Sequence, residues 1–403
     1  MKSDVYFFSA RTINYKQSMS RFKGPMALEK IGFEDNTSKN EKVVIKTHFG
    51  ATENVRYLRP SYIRFLSDYA RDLGLYPTIA ESCGWGVPGV KGEYGGRANE
   101  EEYLEVALKH GFTPQTMNAP IIMLDGPDGL NYKVQKVDGN YFHEARVAGR
   151  LSEFDSMILA THFKGHSLSG FGGAIKNLGI GCVSKGGKAE AHTGKTFEHN
   201  FDKCEPDCDK CIEICPTGAL HRDADGEIIY DADKCRYCYM CNSVCETDAI
   251  DIGTVSREQF IYQMVDNAKG VVDYYGNDNI YYLNYAIDIT WQCDCSGSSD
   301  VPFVSDIGIL SSKDPVALDQ ACVDLTHDSH MNPDSILGTI SELKNNEKGE
   351  WFSYIPRFDE GEKNLNEEGK ESRHWEHQLK AAEELDLGTR EYNLIPITIK
   401  KED

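Results

Sequence analysis

Two dense cysteine runs constrain this chain more than any other feature. "KCEPDCDKCIEICPTGAL", residues 203 to 220, carries Cys204, Cys208, Cys211 and Cys215. "KCRYCYMCNSVCETDAI", residues 234 to 250, carries Cys235, Cys238, Cys241 and Cys245. A segment so rich in thiols must fold around disulfides, zinc or iron. Disulfides suit small secreted chains, whereas this one has 403 residues, 40% of them hydrophobic, which is ample for a packed core. Its opening residues, "MKSDVYFFSARTIN", offer four consecutive apolar residues and no small-residue cleavage site, and no apolar run approaches the roughly 18 residues of a membrane span. The expectation is therefore a cytoplasmic protein with no membrane segment, whose clustered cysteines ligate metal in a reducing compartment.

The second run reads CxxCxxCxxxC and the first CxxxCxxCxxxCP, one residue longer between Cys204 and Cys208. Both resemble the bacterial ferredoxin pattern, in which three cysteines of a run bind one 4Fe–4S cluster and the fourth crosses to the other. That resemblance implies a first cluster on Cys204, Cys208, Cys211 and Cys245, and a second on Cys235, Cys238, Cys241 and Cys215. Zinc normally takes two separated CxxC pairs, an arrangement these runs do not offer. Residues 196 to 252 hold 14 acidic residues against 5 basic ones, which points to a small inserted domain with a negative surface. The clusters would then either carry electrons, with an oxygen-sensitive and hence anaerobic character, or merely brace the fold.

Outside the insert, apolar runs alternate with amphipathic stretches. "VYFFSA" (5 to 10), "KVVIKTHFG" (42 to 50), "YPTIAES", residues 120 to 124, "DSMILATHF" (155 to 163), "NIYYLNYAIDI" (279 to 289) and "PFVSDIGIL" read as strands. Helices are expected at 61 to 74, 99 to 111, from about Gly173, at 255 to 268, and over "DPVALDQACVDL". Such alternation predicts the α/β class: a parallel-rich sheet with flanking helices, plus the inserted ferredoxin-like α+β domain. The expected organisation is an α/β domain formed by 1–195 and 253–345, interrupted by the insert at 196–252 and followed by a charged cap at 346–403. That cap reads as solvated, with one amphipathic helix near 374 to 386 and a last apolar run, "NLIPITI".

The stretch "THFKGHSLSGFGGAIKNLGIGCVSKGGKAEAH" (161 to 192) places His162, Lys164, His166, Lys176 and His192 in a glycine-rich segment directly after a strand. Open α/β sheets put ligand loops there, and backbone N–H groups can approach an anion. These five residues are the candidate catalytic or ligand-binding set. "GFGG" lacks the GxGxxG dinucleotide fingerprint, so no bound NAD or flavin is expected. Cys293 and Cys295, in "WQCDCSG", stand at i and i+2 after a strand, so both thiols can face one side and chelate an additional metal or form a redox pair; two ordinary thiols is the competing reading.

Taken together, "THFKGHSLSGFGGAIKNLGIGC", the cysteine insert, "CDC" and "DIGILSSKDPVALDQACVDL" resemble the iron–sulfur branch of the domain-of-unknown-function 362 family. The resemblance reaches from the start to about residue 330. "AESCGWG" departs from the Thr/Asn-rich stretch expected there. A fainter similarity reaches the lactate racemase family, whose nickel-pincer cofactor is tethered to a lysine. His166, Lys176 and His192 fall at the separations of that family's catalytic histidine, pincer-bearing lysine and nickel-ligating histidine. That family's other catalytic histidine is missing, since "AESCGWG" has Cys83 there.

Three functions are consistent with these readings. In the first, an iron–sulfur oxidoreductase or electron-transfer protein passes electrons through two clusters to a small anionic substrate or cofactor. In the second, it is an electron-transfer or cofactor-maturation partner without its own catalysis. In the third, it is a metal-dependent, nickel-pincer-like racemase or isomerase. A redox partner protein follows from the first two. The net charge of −21 disfavours nucleic acid, whose phosphates need a basic face. The oligomeric state is left open.

Overall fold

The computed structural model describes residues 2–90, 95–193, 198–205, 207–253, 255–340, 343, 346–355 and 373–399. Eight strands of these residues form one sheet: β1 (Ser3–Ser9), β2 (Lys42–Lys46), β3 (Tyr76–Glu81), β4 (Ile121–Met123), β5 (Ser156–His162), β6 (Ile280–Ala286), β7 (Gly308–Ser312) and β8 (Tyr392–Pro396). Their spatial order is β8-β1-β7-β6-β5-β2-β3-β4. Strand β7 pairs antiparallel with β1 and β6, and the other neighbours pair parallel. The expected parallel-rich α/β sheet is therefore present.

The strand sequences explain their places. Every residue of β5, "SMILATH", is buried, as a central parallel strand covered on both faces requires. Alternate residues of β2 and β5 serve opposite cores: Val43, Ile45, Ile158 and Ala160 point to one, and Val44, Met157 and Leu159 to the other. Helix α1 (Pro60–Asp72) closes the first core with Ile63, Leu66 and Ala70, one face of a 3.6-residue repeat. Helix α2 (Glu100–Lys109) contributes Tyr103, Val106 and Ala107 to the same side, its start capped by Asn99 and lined with three glutamates.

The second core is covered by α3 (Ala174–Gly179), α5 (Arg257–Tyr275), α6 (Pro315–His327) and α7 (His374–Glu384), and α4 (Lys185–Thr193) packs beside α5. Helix α5 runs past the expected end at 268 because Val271 and Val272 stay buried against the core, and it stops at Gly276, whose φ of +86° suits glycine. A hairpin of Tyr132–Lys136 with Glu144–Ala148 was not expected from its charged sequence. Asp266 on α5 fixes its turn by accepting the N–H groups of Asn140, Tyr141 and Phe142.

Expectation and structure part at the tail. The solvated cap expected at 346–403 is corrected: Trp351, Phe352, Ile355, Trp375 and Leu379 lie in the second core, and β8 extends the main sheet. The high average charge hid an apolar face on α7. The expected junction at 195/196 lies outside the described residues, and that at 345/346 is only partly within them.

The cysteine-rich segment forms two small antiparallel pairs, Glu198–His199 with Ile250–Asp251, and Leu220–Arg222 with Ile228–Tyr230. Short helices Lys210–Glu213 and Met240–Ser243 each carry a cysteine, and Leu220, Ile228 and Ile250 pack a small core against Cys211.

Candidate functional site

The carboxyl ends of parallel strands are where an open α/β sheet forms its crevice. Here β2, β3 and β5 deliver His48, Glu81, Ser82, Thr161 and His162 to a cavity of about 570 Å³. His162, Lys164, His166, Lys176, His192, Cys293 and Cys295 all line it. A segment of 32 residues and a tripeptide 100 residues later are thus brought to one place.

His166 sits at the end of a three-residue strand, Lys164–His166, paired with Gly170–Gly172. Its Nδ1 lies 2.9 Å from Ser169 Oγ and 3.2 Å from the Ser169 backbone nitrogen. The Ser169 N–H donates to Nδ1, which is therefore the accepting ring nitrogen, and the Ser169 hydroxyl also lies 2.8 Å from the Phe171 carbonyl; the neutral ring then carries its proton on Nε2. Gln378 of α7 donates to both Ser169 and Phe171 carbonyls and so anchors this hairpin.

One ligand atom each from His166, Cys293 and Cys295 lies within 4.8 Å of the other two. Lys176 Nζ is 3.5 Å from Cys293 Sγ. The Cys293 thiol is held well below its ordinary pKa, first by a hydrogen bond from Cys295 and then, against the effect of burial, by Lys176 and Lys164. Cys295, carrying the shared proton, is pushed up. Asp294 between them points the other way, to His162 Nδ1 at 2.8 Å and Lys164 Nζ at 3.4 Å. The two-residue alternation expected of an extended chain is not what joins the thiols: residues 293–296 form a turn closed by the Ser296 N–H on the Cys293 carbonyl at 3.0 Å, with the Cys295 N–H donated to Cys293 Sγ at 3.4 Å.

His162 lines the cavity, yet both its ring nitrogens are engaged: Nδ1 with Asp294 and Nε2 with the Ile287 carbonyl at 2.8 Å. It is a positioning group, not a free base. Lys164 is likewise tied, donating to the His162 carbonyl at 2.8 Å. His192 donates from Nδ1 to the Lys188 carbonyl at 2.7 Å, and burial lowers its pKa to about 4, so it is neutral at pH 7. Lys176 has no carboxylate within 4.0 Å among the described residues, which leaves its charge for a ligand.

Sequence reasoning missed several lining residues. Arg97, buried, donates to the Cys295 carbonyl at 2.9 Å. Lys188 is enclosed among Ser82 Oγ and the Cys83 and Val183 carbonyls, and burial lowers its pKa. His48 accepts the Gly50 N–H at Nδ1, and burial holds its pKa well below the ordinary value. A signal for His48 existed: the tripeptide Thr-His-Phe occurs at 47–49 and again at 161–163, each at the end of a parallel strand. Arg97, Lys164, Lys176 and Lys188 face Glu81, so the lining is predominantly cationic.

The insert offers two further cavities. One is lined by Cys204, Cys208, Cys211 and Cys245, the other by Cys215, Cys235, Cys238 and Cys241. In each, three cysteines come from one run and the fourth from the other. Asp207, in the lengthened first loop, adopts φ of +61°. The second loop packs on α4: a Cβ on Gly186 would stand 2.7 Å from the Arg236 carbonyl, and Ala189 shares a small core with Tyr239 and Ile252. Lys188 and His192, on a neighbouring face of the same helix, line the large cavity.

An α/β sheet with a cationic crevice and a ferredoxin-like cysteine module define the class of this protein. It belongs to the family described as Domain of unknown function (DUF362), which it matches over residues 43–324. It is 35% identical to a ferredoxin of Methanothermococcus thermolithotrophicus over 54 residues, 13% of this chain and 90% of that one. It is also 35% identical to pyruvate synthase subunit PorD of Methanocaldococcus jannaschii over 65 residues, 16% of this chain and 74% of that one. Among solved structures, the lactate racemase apoprotein of Thermoanaerobacterium thermosaccharolyticum aligns with 99% of this chain and 84% of its own, at 13% identity and a TM-score of 0.41. No helix of the described residues is long and apolar enough to cross a membrane.

Proposed function

We propose that this chain is an iron–sulfur redox protein in which two 4Fe–4S clusters exchange electrons with a small anionic molecule held in the cationic cavity. The residues fit the clusters, since each cysteine cavity has the four thiols a cubane takes, in the crossed pattern of two-cluster ferredoxins. The observation that carries the reading is α4: one helix, about 10 Å across, has the second cysteine loop on one face and the anion cavity on the next. Bound in the insert, the clusters would supply one-electron transfer, while Lys176 attracts the anion and His192, neutral at pH 7, lines the same cavity.

Electrons would enter at the first cluster, whose cavity is bordered by Glu205 and Glu246 in the acidic insert, from a redox partner with a basic face. His166, Lys176 and His192 around one cavity also favour a second reading, proton-transfer chemistry of the racemase or isomerase kind with no net electron flow.

Anaerobic protein should contain eight irons and eight sulfides. On adding oxalate or phosphate to the dithionite-reduced protein, the EPR signal lost in Cys215→Ser should shift, while that lost in Cys245→Ser should not. Four irons, or two clusters that both ignore the anions, would overturn the redox reading.

A further inference from the structure

We infer that His166, Cys293 and Cys295 form a mononuclear metal site for a borderline-soft divalent ion, with its fourth position open to an anion that Lys176 also holds. The inference names the ligand of the cavity just described and rests on that cavity being a binding site. It does not depend on the clusters.

Convergence is the first argument. Among the described residues this is the group of three His, Cys or carboxylate ligand atoms that all lie within 4.8 Å of one another. Bonds of about 2.0 Å to imidazole nitrogen and about 2.3 Å to thiolate place tetrahedral ligands closer than that, within a small contraction. Two thiolates and an imidazole select zinc or ferrous iron over magnesium or calcium, which prefer oxygen.

Support around the three ligands is the second. Ser169 fixes the His166 ring where it lines the cavity, its N–H donated to Nδ1 at 3.2 Å and its hydroxyl 2.9 Å from the same nitrogen, and an ion bound by the imidazole would displace a ring proton. On the other side Asp294, pinned by His162 and Lys164, fixes the backbone so that both sulfurs face the cavity. Arg97 holds the Cys295 carbonyl at 2.9 Å. Both ligand-bearing loops are therefore set before any ion arrives.

Charge gives the third. Two thiolates neutralise a divalent ion, which leaves the Lys176 ammonium, 3.5 Å from Cys293 Sγ, uncompensated beside the open position. An anion bound to the metal would meet that ammonium. Three protein ligands and an open place define a site that binds substrate, whereas structural zinc closes its fourth position with protein.

The test uses the anaerobic protein with its clusters intact, dialysed against zinc. Zinc-edge X-ray absorption is blind to the iron. We expect one zinc per chain, with two sulfur neighbours near about 2.3 Å and one nitrogen near about 2.0 Å, at undiminished iron content. Cys293→Ser and His166→Ala should each lose it, with Cys295→Ser as the second check should either fail to fold, and Cys83→Ser should keep it. Lys176→Ala should retain zinc but bind oxalate about tenfold more weakly, as does zinc-free protein. No retained zinc, a four-sulfur shell, or zinc kept at the wild-type level by the Cys293→Ser and Cys295→Ser variants would overturn the site. The iron count and the oxalate response of the EPR signals are read separately, so failure of the metal site is distinguished from failure of the redox reading.

Discussion

Asp294 accepts a hydrogen bond from His162 Nδ1 at 2.8 Å, and that buried contact turns the cysteines on either side of it toward the cavity. A carboxylate here does its work by facing away from the site.

Asp294→Ala should therefore cost about 3 kcal/mol of stability, because it leaves the buried His162 and Lys164 without their anion. Burial alone would raise the Asp294 pKa, but His162 and Lys164 outweigh it and hold the carboxyl below its ordinary value. A depressed carboxyl stabilises the fold fully above its unfolded pKa, near about 3.9, and loses that contribution as pH falls further. Urea unfolding of wild type and variant should converge on acidification below pH 4.

His192 also costs stability on acidification, though as a group that is neutral in the fold and charged more readily in the unfolded chain. With a folded pKa of about 4 against an ordinary 6.5, its contribution is complete above pH 6.5 and is lost as pH falls toward 4. His192→Gln should flatten stability over that window by on the order of 2 kcal/mol, measured by urea unfolding at half-unit pH steps.

Gly170 has φ of +78°, and a Cβ there would stand 2.7 to 3.0 Å from Trp375. Gly170→Ala should push the His166 hairpin off α7 and lower stability by about 2 kcal/mol, seen in thermal unfolding. Gln378→Ala, which removes two donors to the hairpin carbonyls, should do the same to a smaller extent, about 1 kcal/mol.

Gly186 is the point where α4 touches the second cysteine loop. Gly186→Val should lift Arg236 and Tyr237 from the helix and shift the potential of the second cluster, leaving the first unchanged and iron content intact. Redox titration followed by EPR checks this, and equal shifts of both signals would contradict the contact.

Much of this architecture was legible because local chemistry forces it. The apolar run "MILA" within "SMILATH" reads as a strand covered on both faces, and the two cysteine runs repeat one spacing but for a single added residue in the first. Cys293 and Cys295 do line one cavity as expected, but a turn closed by the Ser296 N–H on the Cys293 carbonyl, not the two-residue period of extended chain, brings them there. Arg97 and Lys188 were hidden because each reaches the cavity through a tertiary contact, not through a motif. His162 shows the converse: its place in the site was legible, but not that Asp294 and the Ile287 carbonyl take both its nitrogens. The tail was misjudged because average charge conceals the few apolar positions of α7 that meet the core.

Gln378 lies 209 residues beyond Ser169, whose carbonyl it holds. A growing polypeptide leaves the ribosome N-terminal end first, so all the cysteines and His166 have been translated before the residue that secures the hairpin. Completion of the crevice is thus tied to completion of synthesis, and a prematurely terminated product would keep its cysteine runs while presenting an unfastened His166.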